Sequence, residues 1–205
     1  MERSTILDAA RYHIQMTPEE FLDWVDEDDK AELIDGEVSV ASPASGRHQE
    51  IELFLGMILG LFVRRHQLGR VYLSQFMMRL GNNLFVPDVM YLSNKKLTHR
   101  LPNYMKGPAD LVMEIVSPES IVRDRKRKFS AYQAAGVREY WLFEPETKEI
   151  LAFRLGLTRK YRKVAPDKDG ALHSAVVPRF FVRPEWVWAN PPDEFAALRE
   201  LGVRI

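Results

Sequence analysis

The stretch that most constrains this chain runs from Ala109 to Ser117, Ala-Asp-Leu-Val-Met-Glu-Ile-Val-Ser, because an ionisable Glu114 interrupts an apolar run that reads as a strand. In such a strand Leu111, Met113 and Ile115 face one side and Val112, Glu114 and Val116 the other. Both sides are apolar apart from Glu114, so both faces are expected to be covered by other layers. Burying a lone carboxylate costs several kcal/mol or forces it to take up a proton, so Glu114 requires a cation, a metal ion or a water-lined cleft beside it.

The remaining elements are expected to build around that strand. Thr17-Pro18-Glu19-Glu20 carries the signs of a capped helix start, with a helix running to about Val25. Residues 31–41 read as a hairpin turning at Asp35-Gly36. After a loop at 42–46, residues 48–66 form a long helix, apolar around its middle, that suits either the core or a homodimer interface. Residues 71–80 and 85–92 are expected as two strands joined at Gly81-Asn82-Asn83, with Pro87 marking an edge, a bulge or the limit of tight pairing. Residues 97–108 read as a basic loop. A helix over 121–135, closed by Gly136, separates the central strand from another at 137–143, an order that favours a parallel crossover. A hairpin at 149–154 and 159–164, an edge at 172–176, and a tail with Trp186, Trp188 and a short outer helix near 193–201 complete the chain. The expected organisation is one domain: an N-terminal helix and hairpin at 17–41, a core at about 42–165 and a tail at 166–205.

With 205 residues, 46% of them hydrophobic, the chain can bury one sizeable core. It has no cysteine, which excludes thiolate metal sites and cysteine nucleophiles and suits a reducing cytoplasm. No segment reads as a signal peptide or membrane span. Lys plus Arg and Asp plus Glu both total 29, so there is no global positive field. The charge is locally uneven, and Arg123 to Lys128 concentrates cations that suit either phosphate or plain solvent.

Asp88 and Glu114 are the carboxylates set in strand-like runs. Together they suit a hard divalent cation or a general acid and base, whereas separately Asp88 reads as a turn residue and Glu114 as the partner of an arginine. Asp124, Lys128 and Tyr132 share one helix face, so Lys128 is placed either to pair with Asp124 or to reach Glu114. His48 and Glu52 stand at i, i+4, a spacing compatible with a metal, with helix capping or with a phosphate contact from His48. Ser117 lacks a nucleophile elbow, and no Gly-rich phosphate loop is present.

Taken in order, Glu32 to Glu37 (Glu-Leu-Ile-Asp-Gly-Glu), His48, Pro87-Asp88-Val89, Leu111 to Pro118, the Asp124, Lys128 and Tyr132 series, and Gly136 to Trp141 resemble the Uma2 family of restriction-endonuclease-like proteins over roughly residues 17–155. The resemblance implies membership of the PD-(D/E)xK nuclease superfamily. The fold it implies is α/β, a restriction-endonuclease-like mixed sheet flanked by helices, and the activity is Mg²⁺- or Mn²⁺-dependent hydrolysis of DNA phosphodiester bonds. Carried over by position, Asp88, Glu114 and Lys128 are the catalytic set and Asp88, Glu114 and Glu32 the metal ligands, with Asp124 and Tyr132 in support. Val116 stands where the superfamily pattern has lysine, and the family pattern moves that lysine to Lys128. His48, Lys95, Lys96, Arg123, Arg125 and Lys126 are the expected DNA contacts. Two other functions fit the same residues: a silent nucleic-acid- or protein-binding module, and a metal-dependent hydrolase of small phosphate esters.

Overall fold

The computed structural model describes residues 15–26, 30–40 and 43–204. The last residue of the expected hairpin, Ala41, and the first of the expected loop, Ser42, lie outside them. Helix α1 (Pro18–Trp24) starts with the expected capping box: Thr17 Oγ1 accepts from the Glu20 amide and the Glu20 side chain accepts from the Thr17 amide. Strands β1 (Ala31–Ile34) and β2 (Glu37–Val40) form the expected antiparallel hairpin, with positive φ at both Asp35 and Gly36, the backbone that a two-residue turn of the mirror-image type demands.

Helix α2 (Gly46–Arg65) begins two residues before the expected start, because Ser45 caps it by accepting from the His48 amide. The strands expected at 71–80 and 85–92 each split. The first becomes β3 (Gly69–Leu73) and β4 (Met77–Leu80), separated by a turn in which Gln75 has φ 85°. The second becomes β5 (Asn83–Phe85) and β6 (Val89–Ser93). The break at Val86-Pro87-Asp88 has a physical cause. Pro87 has no amide hydrogen to give to a ladder, and the Val86 amide donates to the Glu32 side chain instead of to a strand. The basic loop expected at 97–108 contains a short strand, β7 (Tyr104–Lys106).

The central strand is β8 (Leu111–Ile115), buried at every position. The helix that follows opens with a widened π-helical turn, Arg123–Lys128, and continues as α3 (Phe129–Ala135), closed by Gly136 in the left-handed conformation at φ 94°. Then come β9 (Glu139–Glu144), β10 (Glu149–Leu155) and β11 (Tyr161–Val164). Strand β12 (Leu172–His173) pairs with β13 (Phe181–Val182) in a separate ribbon rather than extending the main sheet as an edge. Helices α4 (Pro184–Trp188) and α5 (Glu194–Glu200) end the described chain.

A six-stranded mixed sheet, in the order β11-β10-β9-β8-β6-β3, holds the expected parallel pair β8 and β9. A five-stranded sheet, β2-β1-β5-β4-β7, joins the other halves of the two split strands, β4 and β5, to the β1–β2 hairpin and β7. The faces of β8 divide as the alternation predicts. Leu111, Met113 and Ile115 join the cluster formed with α2, where Ile51, Phe54, Leu55, Ile58 and Phe62 are buried. Val112 and Val116 join Tyr132 and Tyr140 in the cluster that faces α3 and the smaller sheet. The apolar side of α2 therefore enters the core, and Leu53, 59% exposed, marks its outer side. The tail helix α5 sends Ala197 and Leu198 into the same cluster as α2.

Gly136→Ala is expected to cost about 1 kcal/mol, since the left-handed cap strains any side chain. Urea unfolding should show a lower midpoint with an unchanged slope.

Candidate active site

Two strand pairings bring the acids together. Strands β6 and β8 are antiparallel, with Val89 opposite Met113 and Met90 opposite Val112, so one further step along that register sets Asp88 against Glu114. The Ile115 amide then donates to Asp88 Oδ2 at 2.8 Å, replacing the ladder bond that the broken strand cannot supply. Glu114, 2% exposed, points toward the π-helical turn and α3. There the Lys128 ammonium lies 2.9 Å from Glu114 Oε1, 2.9 Å from Glu32 Oε1 and 3.7 Å from Asp124 Oδ1. The Tyr132 hydroxyl donates to the same Glu114 oxygen at 3.0 Å. Tyr140 donates to the backbone carbonyl of Asp124 and fixes the widened turn against β9.

The two acids are tuned in opposite directions. Burial pushes the Asp88 carboxyl up, but the His48 imidazole, Lys30 and Lys128 outweigh it and hold Asp88 well below the usual carboxylate range. Glu114 goes the other way. Burial, with Asp88, Asp124 and Glu32 adding to it, overcomes the pull of Lys128 and raises Glu114 to about 8. Burial alone would discharge Lys128, yet the carboxylates of Glu114, Glu32 and Asp124 raise it above the ordinary lysine value and keep it charged.

A second group meets at Asp88 from the helix side. His48 Nε2 lies 3.3 Å from Asp88 Oδ1 and 3.9 Å from Glu52 Oε2, and one potential ligand atom from each of these residues falls within 4.8 Å of the others. Lys30 Nζ also approaches Asp88 Oδ1, at 3.1 Å, from the rim. His48, Asp88 and Lys30 line a cleft of about 490 Å³ whose walls also include Glu32, Glu114, Arg123 and Lys128. Arg123 stands 3.6 Å from Glu32 and 3.5 Å from Asp124. An imidazole and two carboxylates are a donor set that suits a divalent cation.

The fold thus gathers Asp88, Glu114, Lys128, Glu32, Asp124, His48 and Arg123 around one cleft, with Tyr132 buried behind Glu114. It does not bring in the other expected DNA contacts. Lys96 is tied to Asp110 at 3.3 Å and to the Pro108 carbonyl at 2.7 Å, before the start of β8 and so at the opposite end of the strand from Glu114. Lys95 is its exposed chain neighbour. Arg125 turns to Glu144, with two hydrogen bonds of 2.7 and 2.5 Å, and Lys126 lies on another face near Asp35 and Asn83. Lys30 and Ser74 were not foreseen. Lys30 had a legible signal, since it stands two residues before Glu32 and so on the same side of an extended chain. Ser74, which donates to Glu52 through its hydroxyl and its amide, had none, because it lies in a turn hidden inside an apparent strand.

Comparison with known proteins adds an independent line. The family model Uma2, described as "Putative restriction endonuclease", matches residues 18–185. Among solved structures the chain is similar to one described as "a putative nuclease belonging to DUF820" from Anabaena variabilis, with a TM-score of 0.73 and 17% identity over 84% of this chain and 97% of that one. That likeness shows the fold. No curated protein matches. No helix among the described residues is long and apolar enough to cross a membrane.

Lys128→Ala leaves buried carboxylates without their cation and is expected to destabilise the protein by about 3–5 kcal/mol. Adding Glu32→Gln should restore part of the loss in chemical denaturation. Full additivity of the two changes would mean that the charges do not interact.

Proposed function

The chain belongs to the Uma2 family, and from that premise we propose that it is an endonuclease that hydrolyses DNA phosphodiester bonds with a divalent cation, Mg²⁺ or Mn²⁺. The observation that supports this most is the meeting of Asp88 with the Glu114 strand next to the Lys128 ammonium, three groups drawn from β8, the turn before β6 and the helix after β8. A divalent cation there supplies charge neutralisation at a phosphate and makes a water more acidic. Asp88, held ionised by its cationic neighbours, is the group suited to bind the cation. Glu114, held by Lys128 and Tyr132 and raised to about 8, is suited to accept or return a proton near neutrality. Lys128 limits the negative charge that an incoming phosphate meets. Lys30 and Arg123, on the cleft wall, offer cations to the backbone without reading bases. A cytoplasmic location fits the absence of cysteine.

One observation favours a second reading, a nucleic-acid-binding module without hydrolysis. Lys128 is already shared among three carboxylates, and Val116 leaves β8 with no lysine of its own.

The deciding experiment is nicking of supercoiled plasmid in Mg²⁺ or Mn²⁺. Wild type should cut, and Asp88→Asn and Glu114→Gln should each slow cutting by at least about 100-fold, the loss of a few kcal/mol of transition-state stabilisation. Cutting that persists unchanged in Asp88→Asn removes the site assignment. Salt-sensitive DNA binding with no product at any metal concentration selects the silent module.

A further inference from the structure

We propose that the cation is held by His48, Glu52 and Asp88, a site with a nitrogen ligand that takes a first-row transition ion such as Mn²⁺ in preference to Mg²⁺, while Glu114 and Glu32 hold Lys128. This rests on the metal-dependent reading above, but not on DNA as the substrate.

Several independent features converge. His48 Nε2 is buried and faces Asp88 Oδ1 at 3.3 Å without a well-aligned hydrogen bond to it. A buried imidazole nitrogen without a well-aligned bond is costly, and an ion placed between it and the two carboxylates would satisfy all three at once. The carboxylates are already turned for this. Ser74 holds Glu52 through Oε1, leaving Oε2 toward His48, and the Ile115 amide holds Asp88 through Oδ2, leaving Oδ1 toward His48. Such outer contacts are what orients metal ligands. The cap at Ser45 fixes where α2 begins and so sets His48 and Glu52 on the face turned to Asp88. Meanwhile Glu32 Oε1 accepts from the Val86 amide and Lys128, and Glu114 Oε1 from Lys128 and Tyr132, whereas among the described residues His48, Glu52 and Asp88 are the three whose potential ligand atoms lie within 4.8 Å of one another.

Charge and chemistry agree. Two carboxylates and an imidazole match a divalent ion. Lys30, which shares Asp88 Oδ1, has a side chain 31% exposed and is free to withdraw to the cleft rim. Mg²⁺ favours all-oxygen surroundings, whereas an imidazole among carboxylates favours transition ions.

The test uses the full chain loaded with Mn²⁺ or Mg²⁺. Calorimetry should show one Mn²⁺ bound at least about tenfold more tightly than Mg²⁺. The electron spin-echo envelope of bound Mn²⁺ should carry nitrogen modulation from the imidazole. His48→Ala and His48→Gln should each abolish that modulation and weaken Mn²⁺ about tenfold or more, and Glu52→Gln should weaken it while keeping the modulation. The glutamine variant keeps a polar side chain should the alanine variant misfold. Mn²⁺ binding without nitrogen modulation, or binding unchanged in both His48 variants, overturns the proposal. An intact imidazole signal in a protein that cuts no DNA supports the site while removing the nuclease reading.

Discussion

The Lys128 ammonium is the contact on which the site depends, because it is where three separately formed pieces of the chain become one body. Glu32 comes from β1 in the smaller sheet, Glu114 from the middle of the larger one, and Asp124 from the helical turn that carries the lysine itself. Removing four ionisable groups from water is unfavourable, and only their mutual arrangement repays it. The tyrosines on α3 and β9 close the remaining gaps by donating to Glu114 and to the backbone of Asp124. Polar order at this seam therefore works beside the buried apolar cluster that also joins the two sheets.

The opposite behaviour of the two acids follows from which side of that seam each occupies. Glu114 lies within the crowd of carboxylates and burial dominates it, whereas Asp88 lies at the cationic edge, between His48, Lys30 and the central strand. Two carboxyls brought face to face are thus pushed in opposite directions by their surroundings.

Much of this was legible in the chain. The alternation around Glu114, the capping box at Thr17, the Asp35-Gly36 turn and the Gly136 cap all act locally, so local patterns reveal them. What escaped was decided at long range. The apparent strands at 71–80 and 85–92 looked continuous because nothing nearby shows that Glu32, far earlier in the chain, takes the Val86 amide. The basic residues Lys95 and Lys96 were indistinguishable by composition from those at Arg123. Only the antiparallel pairing of β6 with β8 reveals that the loop after β6 closes at the end of the sheet away from Glu114. The convergence of Asp88, Glu114 and Lys128 was anticipated, whereas Lys30 and Ser74 became visible only once the chain was folded.

The break at Val86 to Asp88 is also the covalent crossing from one sheet to the other, and a side chain fastens each end of it: Glu32 on the Val86 amide, Asp88 on the Ile115 amide. The same carboxylates that suit chemistry are thus fasteners of the architecture. A descendant that abandoned catalysis would still be obliged to inherit them, or lose the joint between its sheets. In proteins built this way, persistence of the acids through a lineage measures loyalty to the fold before anything else.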